Sequence, residues 1–100
     1  MAASIGRARV TIYIEESFSL KDKRREVKSV VHRVQARFNC AIAEIEDLDD
    51  PRVATLGVLV VSTSGPHADQ MLERIVAFIE SSLDLGYLGD VSTEILPFDV

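Results

Sequence analysis

Apolar and polar residues alternate along residues 8–15, where every second side chain is apolar. The apolar positions are Ala8, Val10, Ile12 and Ile14. A period of two places successive side chains on opposite faces of an extended chain. The pattern therefore predicts a first strand with one buried face.

A helix is predicted to begin at Leu20. Ser19 stands three residues before Asp22, a spacing at which the two residues can cap a helix start, and an acid there also favours the positive helix end. No Gly or Pro follows up to Phe38, and Asn39 can end the helix. At about 100° per residue the apolar side chains form one stripe. They are Leu20, Val27, Val30, Val31, Val34 and Phe38.

Two further strands are predicted in the middle of the chain. Cys40–Glu46 alternates, with Ala41, Ala43 and Ile45 on one face and Ile42, Glu44 and Glu46 on the other. Asp47–Pro51 predicts a turn, because Asp bonds its own backbone and Pro blocks strand pairing. Val53–Thr63 is apolar on both faces around Leu56–Val61, which is typical of a central strand.

The last third of the chain predicts a helix and a strand. Ser64-Gly65-Pro66 begins the helix, with Pro66 tolerated in its first turn. Leu85–Asp90 reads as a glycine-punctuated loop, and Val91–Phe98 reads as a strand in which Pro97 lies at a sheet edge or near the strand end. The element order predicts an α+β fold, a two-layer βαββαβ sandwich with an antiparallel four-stranded sheet. Right-handed connections place strands one and three in the middle and both helices on one face.

The length of 100 residues fits a single domain over 1–100, in which we expect residues 1–6 to be flexible. No secretory signal is visible, and the longest apolar run, Leu56–Val61, is far too short to span a bilayer. The single cysteine, Cys40, cannot form an internal disulfide. We therefore expect a cytoplasmic protein that does not contact membranes.

The net charge of −5 is distributed unevenly along the chain. Residues 7–37 carry nine of the eleven Lys and Arg against four acids, a balance of +5. Residues 38–100 carry the other two against twelve acids, a balance of −10. This asymmetry indicates a polar partner on one surface, although two complementary solvated faces give the same pattern.

The segment Ser19–Arg25, followed by Lys28-Ser29, resembles the signature of the YlxP-like family of small bacterial proteins, a domain of unknown function. Weaker similarity extends the resemblance from Val10 to about Val91. It runs through Arg37-Phe38-Asn39, Ala43-Glu44 and Ala54–Val58. The resemblance implies a ferredoxin-like fold and a bacterial gene setting shared with translation and ribosome-maturation factors. It implies RNA or the ribosome as a partner, and no established catalytic residue.

The basic first helix is the strongest functional feature of the sequence. At about 100° per residue its exposed cations fall opposite the apolar stripe. They are Lys21, Arg25, Lys28 and His32, with Arg24 beside them. This ridge is about 17 Å long, which matches roughly five phosphates of one nucleic-acid strand. A merely solvated helix face and a site for an acidic protein are the alternatives.

A second candidate surface lies on the sheet face away from the helices. Thr11, Tyr13, Leu59 and Val61 are predicted to share that face beside Gly57. An exposed patch with this many apolar side chains is typical of a homodimer interface. The alternative is that the faces are wrongly assigned and the patch belongs to the hydrophobic core. Tyr13 could also stack on an RNA base, but a packing or interface role is favoured.

Catalytic and metal chemistry have little support in the sequence. The acidic segment 44–50 lacks the glycine and distal glutamate of a calcium loop and reads as a solvated turn. Cys40 begins an apolar strand, and His32 and His67 lie on different helices. We expect no cofactor and no enzyme. The leading hypothesis is an accessory protein that binds ribosomal RNA or a ribosomal subunit, and the alternative is a homodimeric module that binds an acidic protein.

Overall fold

In the computed structural model, which describes residues 2–15 and 18–99, six elements follow in the order βαββαβ. They are β1 (Ser4–Ile14), α1 (Leu20–Arg37), β2 (Ala41–Glu46), β3 (Val53–Ser62), α2 (Gly65–Ser82) and β4 (Gly86–Pro97). The strands form one sheet in the order β2-β3-β1-β4, and every neighbouring pair is antiparallel. The predicted ferredoxin-like α+β sandwich, with strands one and three in the middle, is confirmed.

The core lies between the helices and one face of the sheet. Along β1 the side chains alternate strictly between buried and accessible positions, as period-two patterning requires. Both central strands and both helices supply aliphatic side chains, each of which stabilises the fold by about 1.5–3 kcal/mol when fully buried. The least exposed of the Val, Leu and Ile side chains are Val10, Ile12, Val30, Val34, Leu56, Leu72, Ile75 and Ile79. The other sheet face, here called the open face, has no layer over it in the described residues.

Both predicted helix starts are present with their capping contacts. The Ser19 hydroxyl accepts the Asp22 amide at 3.1 Å, and the Asp22 carboxylate accepts the Ser19 amide at 2.9 Å. The Ser19 amide and the Ser19 hydroxyl both donate to the Asp22 carboxylate, and these two hydrogen bonds hold the pKa of Asp22 below its usual value. At α2 the Ser64 hydroxyl accepts the amide of His67, and Pro66 stands in the first turn. α1 ends at Arg37, because Phe38 is extended.

Residues 85–90 differ from the predicted loop. β4 begins at Gly86, and Gly86 pairs with Ile14 before an irregularity shifts the register opposite Val10 and Ile12. No glycine in the described ranges has a positive φ, so turn geometry does not explain them. Instead, a Cβ on Gly86 would lie 2.8 Å from the Tyr13 carbonyl oxygen. These glycines permit close strand packing, which a sequence pattern cannot distinguish from a loop.

Two smaller predictions also need correction. Residues 4–6 of the segment expected to be flexible are paired on both sides within β1, while Met1 lies outside the described residues. In β2 a bulge between Glu44 and Glu46 breaks the alternation. Glu46 therefore lies on the open face, where its carboxylate pairs with Arg9, and not beside Glu44.

Neither described helix combines the length and the apolar character needed to cross a membrane.

We expect Gly86→Ala to destabilise the protein by about 1–3 kcal/mol, because the new methyl group meets backbone that cannot move cheaply. Gly65→Ala is the matched control, since a Cβ there lies 3.5 Å from its nearest neighbour, an ordinary contact. Urea denaturation of both variants measures the difference. A Gly86→Ala variant as stable as Gly65→Ala would contradict the packing explanation.

Candidate nucleic-acid interface

Helix α1 carries charged side chains on both of its faces. Lys23 and Glu26 point inward and are 0% and 6% exposed. The basic ridge, defined as Lys21, Arg24, Arg25, Lys28 and His32, is exposed on the other side. The charged residues of this helix therefore form two sets. Two are buried and hydrogen-bond to other parts of the domain, and the others form a row of cations exposed to solvent.

The Lys23 ammonium group bonds the β2–β3 connection. Its Nζ lies 2.9 Å from Glu44 Oε2 and donates to the carbonyl oxygens of Asp47 at 2.8 Å and Val53 at 3.0 Å, with Leu48 at 3.3 Å. Asp47 takes a left-handed backbone conformation, with φ of 61°, which Asp tolerates better than most residues. A buried ammonium needs such compensation, because leaving water costs several kcal/mol.

The Glu26 carboxylate bonds the opposite connection, between α2 and β4. Its oxygens accept the backbone amides of Asp84 at 2.9 Å, Leu85 at 2.6 Å and Gly86 at 2.8 Å. Hydrogen bonds from amides to an ionised carboxylate are about twice as strong as neutral ones. Lys23 and Glu26 thus hold α1 to two connections that lie far apart in the sequence.

The basic ridge itself is open to solvent along its whole length. Arg24 lies 3.5 Å from Asp49 in an ion pair whose side chains are 60% and 94% exposed, and such pairs contribute little. Within residues 2–15 and 18–99, Lys21, Arg25 and Lys28 form no ion pair. The structure therefore brings the five predicted residues onto one outward surface, and among the acids that it describes only Asp49 forms an ion pair with a residue of the ridge, Arg24.

The acidic segment 44–50 is more ordered than a solvated turn. Glu44 bonds Lys23 on the helix side, whereas Glu46 pairs with Arg9 on the open face. The other three acids have separate contacts, to Thr55 from Asp47, to Arg24 from Asp49 and to Arg52 from Asp50. No group of three or more candidate metal ligands occurs among the residues that the structure describes.

The predicted interface residues lie together on the open face. Leu59 and Val61 are 45% and 57% exposed, Tyr13 is 37% exposed, and Thr11 is partly buried. The Tyr13 ring packs against Tyr87, with ring centroids 5.7 Å apart. The face assignment made from the sequence is therefore correct for all four residues.

Cys40 and His67 are two further residues with reactive side chains that the sequence analysis considered. Burial raises the pKa of the Cys40 thiol, which lowers its thiolate fraction. His67 Nδ1 lies 2.7 Å from the Ser62 hydroxyl, which also accepts the Ser64 amide. The sequence prediction missed this Ser–His contact, which orders the start of α2.

Comparison with known proteins identifies the family. A family model described as "Protein of unknown function (DUF503)" matches residues 5–89. The uncharacterized protein YlxP of Bacillus subtilis (strain 168) is 38% identical over 77 residues, which are 77% of this chain and 84% of that protein. The chain belongs to the DUF503 family. The resemblance predicted from Ser19–Arg25 is confirmed.

Solved structures align with most of this chain at low sequence identity. A dinuclear metal binding peptidase of the M20 family, YXEP of Bacillus subtilis, aligns with 96% of this chain at a TM-score of 0.56 and 11% identity. This chain spans 26% of that peptidase, and the likeness concerns the fold alone. A dimeric ferredoxin-like protein of unknown function from Thermobifida fusca aligns with 94% of this chain and 92% of its own, at a TM-score of 0.47 and 14% identity.

Sequence reasoning missed the buried structural contacts of two charged residues of this DUF503 chain, Lys23 and Glu26. A signal for Lys23 was present, because it stands four residues before Val27 and seven before Val30, within the apolar stripe. A charged residue within the apolar stripe of a helix indicates that it is buried together with a polar or oppositely charged partner. The pattern could not name Glu44 as that partner, because the pairing depends on the tertiary fold.

We expect Lys23→Met to destabilise the protein by about 3–5 kcal/mol, because it leaves Glu44 and several carbonyl groups buried without a donor. Lys28→Met, which removes the same charge from the ridge, is expected to change stability by less than about 0.5 kcal/mol. Urea denaturation followed by circular dichroism compares them. Equal losses in the two variants would mean that the Lys23 contacts are not structural.

Glu26→Gln is expected to loosen the α2–β4 connection, because an amide nitrogen replaces one acceptor. The amides of residues 84–86 should exchange hydrogen faster, with a stability loss of about 1–3 kcal/mol. Glu73→Gln on the exposed side of α2 is the control. Unchanged exchange at all three amides of the Glu26→Gln variant would show that the carboxylate does not hold this connection.

Proposed function

We propose that this DUF503 chain is a non-enzymatic binding protein that holds the phosphate backbone of structured RNA on the basic ridge of α1. The observation that carries the proposal is the division of charge on that helix. Lys23 is buried and bonded, whereas Lys21, Arg25 and Lys28 are exposed on the opposite side without an ion pair in the described part of the chain. Those three cations remain available to an external anion.

Rigidity of the helix supports this role. The contacts of Lys23 and Glu26 fix α1 to two connections, and the Ser19–Asp22 capping contacts fix its first turn. A ligand that binds a fixed ridge does not have to order the backbone that carries the cations. Only the side chains of the ridge lose freedom on binding.

The dimensions and the field of the ridge suit a nucleic-acid backbone. From Lys21 to His32 the helix rises about 17 Å, which spans roughly five phosphates of one strand. Screening at physiological salt has a length of about 8 Å, so the acids elsewhere on the domain weaken this local potential only partly. Lys and Arg supply permanent charge and several donors each.

The mode of recognition should be independent of base sequence. Contacts to phosphates position a protein on a nucleic acid but carry no sequence information. Recognition of bases commonly uses aromatic side chains that stack on them, whereas the ridge consists of basic residues. The ridge would therefore recognise the shape and charge of the RNA backbone. Ribosomal RNA or a ribosomal subunit is the partner that the family resemblance implies. The protein would act by occupying a site on that partner, without catalysing a reaction.

We expect a labelled RNA hairpin to bind the protein with an affinity that falls steeply with salt. Three or four phosphate contacts predict a slope of roughly −2 to −4 for log K against log salt. Replacing Lys21, Arg25 and Lys28 together by Glu should abolish binding and bring the slope near zero. Fluorescence anisotropy across a salt series measures both quantities.

A charge-matched control distinguishes the ridge from net charge. The control replaces three exposed arginines together by Glu: Arg52 and Arg74, which lie outside the first helix α1 or on α2, and Arg33, which lies about 100° round α1 from His32. This control should keep most of the affinity. Equal RNA affinity in the two triple variants would overturn the proposal. Tighter binding of polyglutamate than of RNA would replace RNA by an acidic protein as the partner.

A further inference from the structure

We infer that the open face of the sheet is covered by a second copy of this chain, so that the protein forms a twofold symmetric dimer through its sheets. The inference does not depend on the proposed RNA site, because α1 lies on the other side of the sheet. It rests on four properties of the face: its apolar content, its shape, its charge balance and its size.

Exposed apolar side chains are concentrated on this face. In the described part of the chain, eight large apolar side chains are exposed, and none of them belongs to α1 or α2. Five of the eight share the open face. They are Tyr13, Ile45, Leu59, Val61 and Tyr87. The helix layer is therefore polar outside while the sheet is apolar outside, and contiguous apolar surface of this kind marks an interaction site.

The shape of the face suits its own copy. Gly57 faces Ala43 across the β2–β3 pair, and these small residues, with Ala41, form the floor of a depression of about 550 Å³. Ile45 and Leu59 line the depression and are 47% and 45% exposed, and the Ile45 side chain lies against Gly57. A surface that carries both a hollow and exposed aliphatic side chains beside it can receive the same side chains from a second copy. Such self-complementarity is what a twofold interface requires.

The charges in the middle of the face balance one another. Arg7 pairs with Glu94 at 3.2 Å, and Arg9 pairs with Glu46 across β3. The hydrogen bond between Arg9 and Glu46 raises the pKa of the first and lowers that of the second, so both stay charged. The chain as a whole has a net charge of −5, yet these four side chains sum to zero, and the Asp47 carboxylate, which acts on Arg9 and bonds Thr55, adds one negative charge at the edge of the face. A second copy can therefore approach this face without the repulsion that the acidic remainder would cause.

The area is sufficient for a stable dimer. Four strands at about 4.8 Å spacing and eleven residues of β1 at about 3.3 Å each give a footprint of roughly 19 by 36 Å. Allowing for the shorter β2, two copies would bury roughly 1,200–1,400 Å², which falls in the range of specific interfaces. A nucleic acid gains no net attraction from this face, because Arg7 and Arg9 are already paired with Glu94 and Glu46.

This arrangement leaves both basic ridges free. The axis that relates two sheets packed face to face lies between them, so the helix layers are on the outer sides. Each dimer would then present two copies of α1 on opposite surfaces.

Sedimentation equilibrium of the unaltered 100-residue chain tests the dimer. We expect a mass of twice the 11.0 kDa of one chain at micromolar concentration. Leu59→Glu should weaken association at least tenfold, because the symmetry brings two added carboxylates into one apolar interface. Leu48→Glu is the matched control, since Leu48 is 53% exposed in the β2–β3 connection and should leave the mass unchanged.

A second measurement covers the case in which Leu59→Glu disturbs folding. Hydroxyl-radical labelling of Tyr87, which is 60% exposed in one chain, should decrease as the concentration of unaltered protein rises. A monomer at every concentration, or Tyr87 labelling independent of concentration, would overturn the inference. Protection of Tyr87 by the RNA hairpin at a concentration where the chain is monomeric would do so too, and would assign the face to nucleic acid.

Discussion

The position of helix α1 depends on one buried ammonium group, that of Lys23. Its Nζ contacts the Glu44 carboxylate and the carbonyl oxygens of Asp47 and Val53, at the two ends of the β2–β3 connection. The low local dielectric strengthens these contacts and also makes each of them necessary, because an unpaired charge there would be costly. No buried side-chain donor or acceptor lacks a partner in the part of the chain that the structure describes. The ammonium group therefore fixes the helix and the acidic turn relative to each other.

Glu26 completes this arrangement one turn further along the same inward face of the helix, because its carboxylate accepts three successive amides where β4 begins. One helix is thus bonded to both connections, to the β2–β3 connection by the cation Lys23 and to the α2–β4 connection by the anion Glu26. The same helix presents Lys21, Arg25 and Lys28 to solvent. The segment Ser19–Arg25 contains both the buried Lys23 and the exposed Lys21 and Arg25, so part of it serves the fold and part is exposed to solvent.

The two outer surfaces of the sandwich differ in character. The helix layer is polar and carries the basic ridge, whereas the open face carries aromatic and aliphatic side chains around balanced ion pairs. A phosphate backbone suits the first surface and a second copy of the chain suits the second. The two proposals therefore concern separate surfaces and can succeed or fail independently.

The amino-acid pattern alone determined the element order, the sheet order, the capped start of α1 and the faces of β1 and β3. Local rules set these features, because period and capping act between residues close in the chain. The ridge residues were also predictable, since helical phase places them opposite the apolar stripe. Only the tertiary structure decided the roles of Lys23, Glu26 and Gly86 and the side on which Glu46 lies. The first three depend on contacts with distant segments, and the position of Glu46 depends on a bulge. A distant contact and a bulge leave no periodic signal in the sequence.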